Sequence, residues 1–141
     1  AVEWLAERFS ERHAVPVAMG LDESVEPDPV HATALFRIVQ ESLANIGKHA
    51  QARQVDIDLE PLPGRAGWLR LVVSDDGQGF DPAAPRAPQS MGLMGLRERV
   101  QLMGAELEVT SAPGQGTRIE VRAPLAPADA APPPGFMGAG A

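Results

Sequence analysis

Three polar residues, Glu41, Asn45 and Lys48, have types and spacing that could do chemistry. At about 100° per residue in an α-helix, their side chains lie within roughly 60° of one another. Carboxylate and amide oxygens are ligands that Mg²⁺ prefers, and an ammonium group attracts phosphate oxygens. This stripe therefore predicts a site for a hydrated magnesium ion and a polyphosphate, with an ordinary solvated helix face as the alternative.

A glycine-containing segment, Asp75–Phe80 (DDGQGF), directly follows a predicted strand. Glycines at 77 and 79 would let the backbone come close to a ligand, and the strand end would hold the Asp75 carboxylate rigidly. The segment predicts a ligand-binding turn, and a simple tight turn is the alternative.

A second glycine-containing segment, Ser90–Gly95 (SMGLMG), opens a predicted helix. Free backbone N–H groups and the positive end of that helix could bind phosphates. A flexible loop followed by a helix cap is the alternative. Further along, Gly114–Thr117 (GQGT) precedes the last predicted strand.

The elements that must position these residues follow from apolar spacing. Asp28-Pro29 marks a helix start, and apolar residues recur at three- and four-residue spacing from Val30 to His49, which predicts the longest helix. Alternating apolar residues predict a strand hairpin around residues 55–59 and 69–73 and a closing hairpin around 107–109 and 119–121. A short helix over 1–13 and a strand over 15–19 precede them.

The remaining segments are a loop before the second glycine segment and a C-terminal tail. Residues 81–90 are rich in Pro and Ala, which predicts a mobile loop, and a short helix then ends at Gly104. Residues 126–141 are Pro, Ala and Gly with few apolar side chains, which predicts a disordered tail after a domain of residues 1–125.

Composition excludes several classes of protein. The chain has 141 residues, no cysteine and three histidines without metal-ligand spacing, so a thiolate site or a zinc site is not expected. A net charge of −7 argues against a general nucleic-acid surface. No apolar run approaches the roughly 20 residues that span a bilayer, so a soluble single domain without membrane contact is expected.

The order of the four segments resembles the N, G1, G2 and closing boxes of the ATPase superfamily of gyrase, Hsp90, histidine kinases and MutL. The sequences of three stretches resemble the nitrate/nitrite-sensor branch of histidine kinases. In that branch the response regulators are NarL-like and the phosphoacceptor domain is of the HisKA_3 type. The resemblance covers roughly Val2 to Leu125, and its most specific stretches are Arg37–Leu43 (RIVQESL), Lys48–Ala50 (KHA) and Gly92–Val100 (GLMGLRERV).

The resemblance implies a fold and an activity. The fold is an α/β two-layer sandwich of the Bergerat type, with a mixed, mostly antiparallel sheet of about five strands covered on one face by about three helices. The activity is that of a protein-histidine kinase: the domain binds Mg-ATP, closes residues 81–94 over it, and donates the γ-phosphate to a histidine on a separate dimeric helical domain. A response regulator acts downstream. The isolated domain is expected to be monomeric and cytoplasmic, as part of a membrane-anchored bacterial sensor.

The resemblance also implies roles for single residues. Asn45 ligates Mg²⁺ with Glu41 supporting the metal shell, Lys48 contacts a phosphate, and Asp75 accepts the adenine amine. Further nucleotide-binding residues are expected in the two glycine segments, at the helix end and before the last strand: His49 against the adenine face, Gly77, Gly79, Gly92, Leu93, Gly95, Leu96 and Thr117. Arg97 and Arg99 could reach phosphate, with surface charge as the alternative.

Two residues differ from the family pattern, and one motif of the family is missing. Asp76 replaces the usual Asn of the G1 box, and Ser90 stands where a glycine often begins the G2 box. Nothing resembles the E-L-H-D stretch that holds the phosphoaccepting histidine. A serine kinase or ATPase of the anti-sigma-factor type, and a nucleotide-sensing module without transfer activity, therefore remain as alternatives.

Overall fold

The computed structural model describes residues 1–84 and 88–126. Residues 85–87 of the predicted loop and residues 127–141 of the predicted tail lie outside this part of the chain. Within it, no helix is long and apolar enough to cross a membrane. The elements in chain order are α1 (Val2–His13), β1 (Val17–Leu21), α2 (Pro29–Asn45), a π-helical turn (Ile46–Ala50), β2 (Val55–Pro61), β3 (Trp68–Asp75), α3 (Pro88–Leu102), β4 (Glu106–Ser111) and β5 (Thr117–Pro124).

The five strands form one mixed sheet in the order β1-β2-β3-β5-β4. β1 and β2 are parallel, and every other neighbouring pair is antiparallel. Asp75, the last residue of β3, pairs with Val55 on one side and with Thr117 on the other. This register places the predicted base-binding carboxylate in the middle of one sheet edge.

The helices cover one face of this sheet. Alternate residues of each central strand are buried against them, as expected for a sheet with one face on the core. The two-layer α/β sandwich predicted from the sequence is therefore confirmed. Its fully buried large side chains, all below 2% exposed, include Ile38, Val39, Val55, Ile57, Leu69, Val73, Leu96, Val100 and Val121.

The opposite face of the sheet carries charged side chains. Glu120 on β5 is buried between Arg118 (2.8 Å) and Arg122 (2.7 Å). Arg122 also contacts Glu108 on β4 at 3.0 Å. Because these carboxylates are paired, this face stays polar and needs no second layer of helices.

α2 begins where the sequence predicts it. The Asp28 carboxylate accepts hydrogen bonds from the Val30 and His31 N–H groups (2.9 and 3.2 Å), and Pro29 occupies the first turn. Buried His31 donates through Nδ1–H to the carbonyl oxygen of Pro124 at 2.7 Å, which fastens this end of the helix to β5. The start of α2 is thereby fixed, and with it the positions of Glu41 and Asn45.

β1 begins at Val17 instead of the predicted residue 15. Ala14 ends α1 in the left-handed conformation (φ 55°), and Pro16 has no N–H to donate to a neighbouring strand. The carbonyl of Pro16 still accepts from Val55 N–H at 3.1 Å. β1 therefore begins two residues later than predicted.

Two helix boundaries differ from those predicted. The α-helical part of the long helix ends at Asn45, and a π-helical turn over Ile46–Ala50 replaces the predicted α-helix up to His49. α3 begins at Pro88, inside the predicted loop of residues 81–90. Proline is well suited to the first turn of a helix, because its missing N–H would have no partner there.

Candidate functional site

A small cavity lies between α2, the ends of β3 and β5, and α3. Its volume is about 30 Å³, far below the roughly 300–1,000 Å³ of ordinary ligand pockets. Six predicted site residues line it, namely Asn45, His49, Asp75, Gly79, Leu93 and Thr117, together with Ser42, Ile46, Val73, Phe80 and Ile119. The fold therefore brings the long helix and three of the predicted boxes together around one space, which is almost closed in this structure.

Asp75 supplies a half-buried carboxylate to this cavity. The Gly77 N–H donates to its Oδ1 at 2.7 Å. Burial raises the pKa of Asp75 above its ordinary value, and the neighbouring Asp76 charge adds to the rise, whereas hydrogen bonds from the Gly77 and Thr117 backbones oppose it. A carboxylate held in this way is a rigid acceptor for a hydrogen-bond donor that enters the cavity.

Ser111, which the sequence analysis did not identify, organises the residues around Asp75. Its hydroxyl donates to the Gly116 carbonyl (2.9 Å) and accepts from the Phe80 N–H (2.9 Å). Thr117 Oγ1 lies 2.9 Å from Ser111 Oγ. Since the serine hydroxyl has one hydrogen, Thr117 must donate to Ser111. The Thr117 hydroxyl is thus held by Ser111, and Thr117 acts on Asp75 through its backbone.

Gly79 and Gly116 allow the two turns at this edge to pack closely. Gly79 has φ 62°, and a Cβ there would collide with the Ala112 carbonyl oxygen. Gly116 has φ 71°, and a Cβ there would collide with the carbonyl oxygen of Asp75. Both positions need glycine for conformation and for space. Gly77 is buried beside Asp75.

Asp76, which stands where the family usually has Asn, makes a structural contact. Its Oδ1 accepts from the Arg53 N–H (2.8 Å) and the Gln54 N–H (2.9 Å). These two hydrogen bonds lower the pKa of Asp76, and the one from Gln54 has the larger effect. The side chain thereby fastens the segment after the π-helical turn to the end of β3.

Asn45, at the last position of α2, faces the glycine surface of α3. A Cβ at Gly92 would collide with Asn45 Oδ1, so α3 can lie this close only because residue 92 is glycine. Leu93 and Leu96 are buried on the same helix. The apolar packing of these leucines therefore holds α3 over the amide that was predicted to bind magnesium.

Glu41, one turn earlier on α2, forms an ion pair with Arg99 of α3. The Arg99 Nε–H donates to Glu41 Oε1. Gly95 lies above the other carboxylate oxygen, and a Cβ at this glycine would be 3.6 Å from Glu41 Oε2. Glu41 and Asn45 thus share one face of α2, as predicted, and α3 covers that face.

Lys48 and His49 lie in the π-helical turn. His49 is half-buried and lines the cavity, and its carbonyl accepts from the Gln78 side chain. Lys48 is exposed and does not line the cavity. π-Helical turns occur frequently at functional sites, because they change which side chains point to one side of a helix.

Gly92 and Gly95 do not lie at a helix start, because the helix predicted to open at Ser90 begins at Pro88. An α-helix leaves only its first four N–H groups without a partner inside the helix. Because α3 starts at Pro88, both glycines lie within it. They serve here as points of close approach to α2.

The oxygens present suit a shared magnesium ion better than a metal held by protein alone. Among the described residues, no group of three or more His, Cys, Asp or Glu side chains could hold a metal ion. Mg²⁺ is commonly bound through one or two protein oxygens together with waters and phosphates. Asn45 and Glu41, on one helix face, fit that pattern.

Comparison with known proteins agrees with this architecture. Two curated relatives are a sensor-like histidine kinase of Chloroflexus aurantiacus, 40% identical over 96 residues, and the sensor protein VraS of Staphylococcus saprophyticus, 42% identical over 91 residues. The matches cover 65% and 64% of this chain but only 16% and 25% of those proteins. The chain thus spans a quarter or less of the length of these relatives.

A solved structure and a family model match larger parts of the chain. A blue-light activated histidine kinase of Erythrobacter litoralis superimposes with a TM-score of 0.72 and 27% identity, over 88% of this chain and 40% of that protein. Residues 30–127 match the family model described as "Histidine kinase-, DNA gyrase B-, and HSP90-like ATPase". This match includes α2, β2 to β5 and α3, and the chain belongs to that family of ATP-binding domains.

Proposed function

We propose that this chain is the catalytic domain of a bacterial sensor histidine kinase, which binds Mg-ATP and donates the γ-phosphate to a histidine on a separate dimeric helical domain. The observation that carries the proposal is the position of Asp75, a half-buried carboxylate in a cavity between the Asn45 helix and a glycine turn. The similarity to sensor kinases supports the same conclusion.

Asp75 is the proposed acceptor for the exocyclic amine of adenine. Apolar side chains of the cavity, Val73, Phe80 and Ile119, would contact the base, and His49 would lie against its face. Gly77 and Gly79 let the backbone approach the ring, and Thr117 supports Asp75. Guanine presents a carbonyl at the place of that amine, which would leave the carboxylate facing another acceptor.

Asn45, Glu41 and Lys48 are proposed to form the phosphate end of the site. Asn45 would ligate Mg²⁺ with Glu41 beside it, and exposed Lys48 would reach a phosphate. Magnesium supplies charge neutralisation during phosphoryl transfer, and the protein supplies positioning. Since α3 covers Asn45 in this structure, this helix must move away before a nucleotide can enter, and residues 81–94 are proposed to close over the bound nucleotide. Gly92, Leu93, Gly95 and Leu96 would line the closed site.

The proposed setting is a cytoplasmic domain of a membrane-anchored sensor, with a response regulator downstream. Residues 1–125 would form the folded unit, monomeric by itself. The GLMGLRERV and KHA stretches support the nitrate/nitrite-sensor branch with its NarL-like regulators, and the similarity to VraS supports a sensor kinase in general.

Nucleotide competition tests the base assignment. We expect ATP to bind more tightly than GTP by about 1–3 kcal/mol, the usual cost of an unmatched buried polar group. Asp75→Asn, whose amide can present either a donor or an acceptor, should reduce this preference. Equal affinities of ATP and GTP for the unchanged protein would remove Asp75 from the base pocket, and failure to bind any nucleotide would refute the proposal.

A further inference from the structure

The ion pair between Glu41 and Arg99 joins two elements that are far apart in the sequence. Glu41 lies on α2 and Arg99 on α3, 58 residues away. Both are only partly exposed, with 31% of the Glu41 side chain and 39% of the Arg99 side chain accessible. Arg99 therefore does not behave as a fully solvated surface charge.

The carboxylate in this ion pair, that of Glu41, belongs to the proposed phosphate end of the site. Glu41 lies four residues before Asn45, so the two side chains are neighbours on one helix face. One carboxylate oxygen accepts from Arg99, and the other lies beneath Gly95. The Glu41 carboxylate thus lies against α3.

A carboxylate beside a bound nucleoside triphosphate can act as a general base for hydrolysis. The carboxylate would take a proton from a water molecule, and the water oxygen would bond to the γ-phosphorus as the bond to the bridging oxygen breaks. The products would be ADP and inorganic phosphate, and the proton would pass from the carboxyl group to solvent. A domain that must keep its γ-phosphate for transfer has to suppress this reaction.

We propose that Arg99 is a positioning residue that holds Glu41 in an ion pair and thereby protects bound ATP from hydrolysis. This inference rests on the proposed function. A general base must lie within hydrogen-bond reach of the proton it abstracts, and the ion pair ties the Glu41 carboxylate to α3 instead.

The test compares ATP hydrolysis and nucleotide affinity in the unchanged chain and in five variants. Arg99→Ala frees Glu41, Glu41→Gln removes the base, and the double variant combines both changes. Arg65→Ala is the matched control, since it also removes a partly exposed arginine from an ion pair, with Glu106 on the opposite face of the sheet. Affinities for a fluorescent ATP analogue and for ADP, with and without Mg²⁺, are measured separately from turnover.

We expect Arg99→Ala to raise the rate of ATP hydrolysis by about tenfold or more, below the roughly 100- to 10,000-fold that a well-placed general base supplies. Its ADP affinity without Mg²⁺ should remain unchanged, so the effect falls on turnover and not on binding. Adding Glu41→Gln should abolish the increase. Arg99→Lys, which keeps the charge, should restore part of the protection.

Three results would overturn the inference. Normal nucleotide binding by Arg99→Ala without faster hydrolysis would show that Arg99 does not restrain Glu41. A large loss of ADP affinity would make Arg99 a phosphate ligand. An equal increase in the Arg65→Ala control would show that loosening the fold is sufficient. Absence of nucleotide binding by the unchanged protein would instead refute the proposed function itself.

Discussion

Asp75 and Asp76 follow one another in the chain, yet the protein holds their carboxylates in opposite ways. Asp75 is half-buried in the cavity, and burial raises its pKa. Asp76 is exposed, and two backbone N–H groups of the preceding segment lower its pKa. The first carboxylate lies in the cavity that we propose binds the base, whereas the second accepts hydrogen bonds from the segment before β2.

Asp75→Asn should stabilise the unliganded protein at pH 7. Because the pKa of Asp75 is higher in the folded protein than in the unfolded chain, the folded state loses stability as pH rises from 3.8, the ordinary pKa of an aspartate, through the raised pKa. Asparagine lacks this penalty and can still accept from the Gly77 N–H. Melting temperatures measured from pH 3 to pH 8 should show a gain for the variant at neutral pH that disappears in acid. A loss of stability at pH 7 would contradict the assigned burial effect.

Asp76→Ala should lower the melting temperature by a few degrees, because the Arg53 and Gln54 N–H groups lose their acceptor. Asp76→Asn retains an acceptor oxygen and should cost less. Since the pKa of Asp76 is lowered in the folded protein, the advantage of aspartate over asparagine is present above 3.8, the ordinary pKa of an aspartate, and is lost as pH falls through the lowered pKa. If both variants have the same melting temperature as the unchanged protein, these hydrogen bonds do not stabilise the fold.

Asn45→Ala should weaken nucleotide binding only when Mg²⁺ is present. The amide oxygen is the proposed metal ligand, and the variant removes it without disturbing the buried core of α2. Titrations with the fluorescent ATP analogue, with magnesium and with a chelator, separate the two contributions, and circular dichroism checks that the variant is folded. An equal loss in both conditions would assign Asn45 to packing against Gly92, and no loss in either would remove it from the site.

The elements were predictable from the sequence because local patterns determine them. Asp28-Pro29 marks the start of α2, alternating apolar residues mark β3 and β5, and all are confirmed. The π-helical turn was not predictable, since the apolar position of Ile46 suits an α-helix equally well. The start of α3 was missed because residues 81–90 carry no apolar periodicity, although Pro88 is itself compatible with a first helical turn.

Contacts between distant residues explain what else the sequence analysis missed in the site. Its polar face, Glu41 with Asn45, was recognised from helical spacing alone. The pairing of Glu41 with Arg99 depends on how α3 packs on α2, and the role of Ser111 depends on the register that sets it opposite Thr117. No local pattern encodes either contact. The closeness of α3 to Asn45 likewise follows from tertiary packing of Leu93 and Leu96.

Phosphoryl transfer from radiolabelled Mg-ATP tests the central claim most directly. The chain alone should bind nucleotide and acquire almost no label. His31 is buried against Pro124, His13 packs against Phe9, and His49 lines the cavity at the end proposed for the base, so we expect none of them to meet the γ-phosphate in line. Adding the matching helical domain on a second chain should produce label on that domain, lost on acid treatment as expected for phosphohistidine. Strong labelling of the isolated chain, or acid-stable label on the partner, would contradict the assignment as the catalytic domain of a histidine kinase.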